Sequence, residues 1–285
     1  MGDIILKTEN LFYTYSEGLP GENTVLKGVS LEIEKGEFLG IIGHTGSGKS
    51  TLIQHFNGLL KPTKGKVFID GNDIWEDRNK LREYRFRVGL VFQYPEYQLF
   101  EETVYKDIAF GPKNMSMSEE DIDKRVRDAI RFVGLEESIL EESPFELSGG
   151  QKRRVAIAGV IAMDPEVLIL DEPAAGLDPL GRAEILSQIK QYHQQHGGTV
   201  IIVSHSMEDI AKYASKVLVL NEGEVFAYDS LEKVFMRAQE LENMGLAIPV
   251  VTKIMQEISD KGYDVNRLAF TAEAAVSSLM KLLKS

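Results

Sequence analysis

Residues 43–50 read Gly43-His44-Thr45-Gly46-Ser47-Gly48-Lys49-Ser50, and no other stretch limits the possible folds as much. The pattern is that of a phosphate-binding loop, two glycines five apart followed by Lys and a hydroxyl residue. The apolar run Phe38-Leu39-Gly40-Ile41-Ile42 precedes it and reads as a buried strand; Thr51-Leu52-Ile53-Gln54-His55-Phe56 follows and reads as the start of a helix. In that setting the glycines let the backbone curl until successive N–H groups face inward, where they and the positive end of the helix dipole hold phosphate oxygens. Lys49 can reach the terminal phosphates and the Ser50 hydroxyl can ligate Mg²⁺. His44, Thr45, Ser47 and, at the helix start, Thr51 complete the expected contacts, so the loop implies a bound phosphate group and Mg²⁺.

The 285 residues, 43% of them hydrophobic, suffice for one large α/β domain, alone or with a smaller appendage. With 32 basic and 44 acidic side chains the net charge is −12, which argues against broad non-specific nucleic-acid binding. There is no cysteine, hence no disulfide, thiolate metal site or thiol nucleophile. The start, Met1-Gly2-Asp3-Ile4-Ile5-Leu6-Lys7, lacks the basic and apolar regions of a signal peptide. No apolar run approaches 18 residues, so work at a membrane would require an integral partner.

Along the chain, 4–15 and 25–33 read as strands. After the first helix, Val67-Phe68-Ile69-Asp70-Gly71 signals a strand and tight turn. Antiparallel strands therefore flank the nucleotide site. The locally basic stretch 78–87 reads as a solvated helix face, or else as a contact for an acidic partner or lipid headgroups. Val88-Gly89-Leu90-Val91-Phe92 is a strand ending at Gln93, and 94–115 reads as an irregular, aromatic-rich segment with a polar connector. Residues 118–134 form a helix capped by Ser118 and stopped by Gly134. An acidic, turn-rich stretch and a helix at 151–162 follow. Val167-Leu168-Ile169-Leu170 and Thr199-Val200-Ile201-Ile202-Val203 are apolar strands, ending at Asp171-Glu172 and at Ser204-His205. Apolar strands alternating with helices indicate a parallel sheet covered on both faces. From about 231 short helices take over, with Val251, Ile254, Met255 and Ile258 on one face and Val276, Leu279, Met280 and Leu283 on another. Those stripes must pack on the chain's own domain or on another subunit.

Strand ends of a parallel sheet converge on the ligand side. Asp171 is thus placed to meet the Mg²⁺ held by Ser50, and Glu172 to polarise a water for in-line attack on the γ-phosphate. Gln93 can touch the metal or the water, and His205 can donate to the γ-phosphate. A second glycine-rich site, Leu147-Ser148-Gly149-Gly150-Gln151, opens a helix. There the N–H groups and the Ser148 hydroxyl make an anion site. One chain does not need both sites for one nucleotide, so the second is expected to cover the nucleotide of a neighbouring subunit.

The ordered set of phosphate loop, Gln93, 147–151, Asp171-Glu172 and His205 resembles the ABC-transporter ATPases over roughly residues 4–230. The resemblance implies a P-loop NTPase core of α/β class with an antiparallel β-subdomain, a helical subdomain at about 94–162, and a C-terminal helical extension, 231–285, as a dimer contact. It also implies that Tyr15, with Tyr13 as the lesser candidate, stacks on adenine, that Ala175-Gly176-Leu177-Asp178 crosses between two sites, and that ATP is hydrolysed in head-to-tail dimers. The stretches 43–60, 88–112, 145–179 and 244–262 resemble more narrowly the ATPases of energy-coupling factor transporters, and the phosphate loop and Glu101-Glu102-Thr103-Val104 the second of their two paired subunits. This implies a paralogous ATPase partner or self-pairing, a membrane coupling protein in the groove behind the glutamine loop, a separate membrane protein that binds a vitamin or metal ion, and a place on the cytoplasmic face of the cell membrane. Ala174 departs from the Thr of many relatives. A cobalt/nickel-type importer ATPase is the alternative. A soluble ABC ATPase of DNA repair or translation fits less well, for want of a coiled coil or tandem second ATPase. A regulatory module without turnover fits poorly with both Glu172 and His205 present.

Overall fold

The computed structural model describes residues 2–283; the expectations that touch Met1 and residues 284 and 285 lie outside the described residues. The chain opens with two long antiparallel strands, β1 (Ile4–Tyr15) and β2 (Asn23–Glu34), then β3 (Phe38–Ile42), the phosphate loop and α1 (Lys49–Phe56). Next come β4 (Lys64–Ile69), β5 (Asn72–Asp73), α2 (Leu81–Arg87) and β6 (Val88–Val91). Three helices form the middle, α3 (Val104–Asn114), α4 (Glu119–Phe132) and α5 (Gly149–Ile161). The second half of the main sheet alternates, as β7 (Val167–Asp171), α6 (Pro179–His196), β8 (Thr199–Val203), α7 (Met207–Tyr213), β9 (Lys216–Asn221) and β10 (Glu224–Ser230). The tail is helical: α8 (Leu231–Phe235), α9 (Ala238–Asn243), α10 (Val250–Asp260) and α11 (Ala272–Leu282).

Two sheets result. The antiparallel one has the order β2-β1-β4-β5, and the six-stranded one the order β10-β9-β3-β8-β7-β6. In the second, β9, β3, β8, β7 and β6 are parallel and β10 pairs antiparallel on β9. Alternation of side chains explains why its strands are apolar throughout. Leu168, Leu170, Val200, Ile202, Val217 and Val219 point into a core shared with the helices. Their neighbours Ile169, Ile201, Val203 and Leu218 point into a second core with α1 and the antiparallel sheet. Burying each such residue contributes about 2 kcal/mol. The sheet is covered on both faces, as expected, one face by helices and the other largely by strands.

The structure departs from the sequence reading in four places. Residues 104–114 form α3 rather than a connector: Thr103 accepts from the Lys106 amide as its cap, and Pro112 lies in the last turn, where the helix is already ending. α5 begins at Gly149, two residues early, because Ser148 caps it. β6 and β8 stop at Val91 and Val203, so Gln93 and His205 stand in the loops beyond their strands, not at the strand ends. The basic stretch is more than a solvated face: Arg85 donates to the Gly58 carbonyl (2.8 Å), Arg87 grips Glu166 (2.5 and 2.9 Å) and Arg82 holds the Asn114 carbonyl (2.6 Å). These bonds tie α2 to α1's end, to the β7 approach and to α3.

Candidate active site

The phosphate loop is held by backbone contacts that only glycine permits. A Cβ on Gly43 would lie 2.3 Å from the Leu220 carbonyl oxygen and 2.5 Å from Ser47 Oγ. Gly48 caps α1 at φ +101°, and Gly46, at φ +83°, faces open space. The Gly223 amide of the β9–β10 turn donates to the Ser47 carbonyl at 3.1 Å and braces the loop from behind. Inside the loop the Lys49 ammonium donates to the carbonyls of Gly43 (2.8 Å) and His44 (3.0 Å). His44 turns its own ring onto the Thr45 carbonyl. Burial pulls the Lys49 pKa below its ordinary value, against the attraction of Glu172 and Asp171. Ser47 Oγ is buried with no hydrogen-bond partner. An open cradle with a partly desolvated cation and an orphaned hydroxyl fits a phosphate chain.

Thr51 and Tyr15 meet beside the loop, with Tyr15 Oη 3.3 Å from Thr51 Oγ1. The Tyr15 ring, 40% exposed, stands edge-on to Tyr13 at 4.8 Å, and Tyr13 stands on buried His55 at 4.7 Å. Tyr15 is therefore the ring with a free face, and Tyr13 its support.

On the sheet side the Ser50 side chain lies beside Asp171 and favours its charged form. Asp171 is buried, which raises its pKa against the pull of Ser50 and Lys49. These are hard oxygen donors of the kind Mg²⁺ takes, one carboxylate and one hydroxyl beside phosphate. Glu172 follows with φ +50°, outside the regions that suit a glutamate. Its amide is held by the Val203 carbonyl at 3.0 Å. Its Oε1 is buried without a hydrogen bond, and burial, then the adjacent Asp171 charge, raises its pKa to about 7. A carboxyl titrating there suits proton transfer near neutral pH. His205 Nε2 lies 3.5 Å from Glu172 Oε1. Burial and the Lys49 charge lower the His205 pKa, so the imidazole is neutral at pH 7 and the contact is not an ion pair. A cavity of about 580 Å³ opens here, lined by Glu172, Ala174, Arg182, His205 and Asp209.

The structure thus brings together Lys49, Ser50, Asp171, Glu172 and His205. Gln93 is exposed and makes no hydrogen bond to Ser50 or Asp171. Ser148, Gly149, Gly150 and Gln151 share no hydrogen bond with the phosphate loop among the described residues. In the single chain the Ser148 hydroxyl is exposed and forms a capping box with Gln151. What this segment offers is the unpaired N–H groups of the first turn and two glycines with nothing near their Cβ positions. Sequence reading missed Arg182, which grips Asp209 (2.6 and 3.0 Å) and ties α6 to α7 behind the His205 loop, and Arg153, which is buried. An Arg in a helix gives no sign of its distant partner.

A second concavity, about 510 Å³, lies between α2, α3 and α5 and is lined by Arg82, Phe86, Leu99, Phe100, Phe110 and Val160, among others. Phe100 and Phe110 meet edge to face at 5.0 Å and both are exposed.

A family model described as "ABC transporter" matches residues 26–175. The chain belongs to the ABC transporter family. Over 98% of its length, and 98% of theirs, it is 55% identical to the energy-coupling factor transporter ATP-binding proteins EcfA2 of Clostridium tetani and Clostridium acetobutylicum. Among solved structures, cbiO1 of Clostridium perfringens, described as part of the ABC transporter complex cbiONQ, is 41% identical with a TM-score of 0.75, covering 89% of this chain and 99% of that one. A dimeric ATP-binding cassette in a post-hydrolysis state with ADP and Pi is 32% identical with a TM-score of 0.72, covering 80% and 99%.

Proposed function

We propose that this chain is the ATP-binding and ATP-hydrolysing subunit of an energy-coupling factor ABC transporter, driving uptake of a vitamin or metal ion through membrane partners. The observation that carries the hydrolytic part is Glu172, half-buried, with its buried unpartnered Oε1 and raised pKa, beside Ser50 and Asp171. In this reading Lys49 and the loop amides hold the β- and γ-phosphates, and Tyr15 stacks on adenine. Ser50 and Asp171, with Gln93 as a further ligand, would hold Mg²⁺, which would supply positive charge against that of the phosphates. Glu172 takes the proton of the attacking water and neutral His205 donates to the γ-phosphate oxygens. Ser148, Gly149, Gly150 and Gln151 complete the site of a neighbouring ATPase subunit, a paralogue or a second copy.

The transport part draws on the EcfA2 relatives and on the apolar groove of Phe100 and Phe110, which fits helices of a membrane coupling protein. Among the described residues no helix is long and apolar enough to cross a membrane, so an integral partner carries the pathway. The cobalt/nickel alternative draws on the likeness to cbiO1. Purification from membranes through a tag on this chain, with subunits identified by mass spectrometry, tests both. An integral partner and a second ATPase chain are expected, and their absence from repeated preparations would sink the transporter reading.

A further inference from the structure

Arg153 is nearly absent from the surface, at 3% exposure, and nothing in the catalytic set above uses it. A buried guanidinium is costly unless its donors are met. Here Nε donates to Glu96 Oε2 (3.1 Å) and Nη2 to Glu96 Oε1 (2.9 Å), a side-on bidentate pair. Nη1 donates to the Ala175 carbonyl. The three groups belong to segments far apart in sequence. Glu96 lies in the short 3₁₀ turn Pro95–Gln98, entered through Tyr94 at φ +56°. That turn stands between Gln93 and the groove-lining Gln98, Leu99 and Phe100. Ala175 lies in the loop from Glu172 to α6, and its amide donates to the Glu172 carbonyl at 3.1 Å. Arg153 itself is in α5, four residues after Gly149. One buried cation therefore joins the turn that runs on into the groove's wall, the loop after Glu172 and the helix that presents Ser148 to Gln151.

We infer that Arg153 is a positioning residue that transmits occupancy of the groove to the ATP site. It acts through Glu96 on one side and the Ala175 carbonyl on the other. The inference rests on the reading that a membrane protein docks in the groove. A turn that carries both Gln98 and Glu96 cannot move when a helix seats on it without moving the guanidinium or breaking a charge-assisted fork. The guanidinium cannot move without shifting the Ala175 peptide that hangs on Glu172. Lys at 153 keeps the charge but not the fork, and Gln at 96 keeps the shape but not the charge.

The test compares ATP hydrolysis by the intact membrane complex with that of the same ATPase chains stripped from it. The ratio is measured for wild type, Arg153→Lys, Glu96→Gln and the double variant. Thermal melting and binding of a fluorescent ATP analogue are recorded alongside. The wild-type ratio is expected to differ from one. Either single variant should bring it about fivefold or more closer to one, and the double variant no further than the singles, since both disable one link. A purely structural role would lower both rates and the melting temperature together and leave the ratio alone. That outcome, or a ratio unchanged in every variant, overturns the inference while leaving docking intact. A wild-type ratio of one also overturns the inference, since occupancy of the groove would then not reach the ATP site, whereas failure to recover any membrane complex would remove the docking reading itself.

Discussion

Glu172 carries the most at the scale of single residues. Its replacement by Gln keeps the shape and removes the base, so ATP hydrolysis should fall about 10²- to 10⁴-fold while binding of a fluorescent ATP analogue is retained; unchanged turnover would mean Glu172 is not the base. The same side chain sets a pH dependence of stability. Its carboxyl titrates near 7 in the folded chain, against an ordinary 4.5, so the folded state holds the proton more tightly. Its contribution is most favourable below about pH 4.5, declines as pH rises through 7, and is constant above. The difference is roughly 3 kcal/mol. Glu172→Gln should therefore raise the melting temperature of the nucleotide-free chain above pH 7 by roughly 5 °C or more, with the gain fading toward pH 5. A gain independent of pH between 5 and 8 would show that the site does not strain the carboxylate. Much of this was legible in the sequence, because a strand that is apolar on both faces can carry a carboxylate only at its end. The positive φ of Glu172 and the orphaned Ser47 hydroxyl were not, since both follow from packing against β8 and the β9–β10 turn.

Single elements show what local pattern can and cannot announce. α4 announced itself through Ser118, the first-turn acids Glu120 and Asp121, and Gly134, and the structure agrees, adding Glu119 to the first turn. α3 did not, because Gly111 and Pro112 read as breakers although they sit in its final turn, where few helical bonds remain to lose. Asn221-Glu222-Gly223 carries the local signal of a hairpin turn, but nothing in that stretch announces the second task of the β9–β10 turn. A Cβ on Gly223 would lie 2.2 Å from the Val25 carbonyl oxygen, and its φ is +85°. Gly223→Ala must therefore displace β2's start or the phosphate loop it braces. It should cost about 2–3 kcal/mol and weaken ATP binding. Gly262→Ala has φ +90° with nothing near its Cβ and serves as the control. It should cost about 1 kcal/mol and leave ATP binding alone. Denaturant melts and nucleotide titrations of the two variants check this. Equal effects would show that the turn does not support the loop.

At the scale of the whole molecule the chain looks unfinished on two surfaces, and both were foreshadowed by apolar residues that its own core could not absorb. The groove of Phe100 and Phe110 is one. The tail is the other: Met255, Ala269 and Ala275 form a small core of their own, with Val251, Ile258 and Leu279 packed on it. Val250, Ile254, Val276 and Met280 remain exposed. The sequence stripes over 251–258 and 276–283 were thus real, but each splits between a tail core and an outward edge, a division that helical periodicity alone cannot assign. Exposed aliphatic side chains on facing helices are costly in water and gain when covered. As a dimer contact, this edge would hold two ATPase chains together through the cycle while the 148–151 segments open and close on ATP. Ile254→Glu combined with Met280→Glu should then leave the folded core and its melting temperature nearly unchanged, because both residues are outside it. In nucleotide-free conditions the pair of ATPase chains should dissociate, with affinity falling at least about tenfold. Excess ATP, in the Glu172→Gln background that blocks hydrolysis, should restore pairing through the phosphate loops. Sedimentation of the purified ATPase pair, with and without ATP, reads both effects. Pairing that survives the double substitution without nucleotide would place the permanent contact elsewhere.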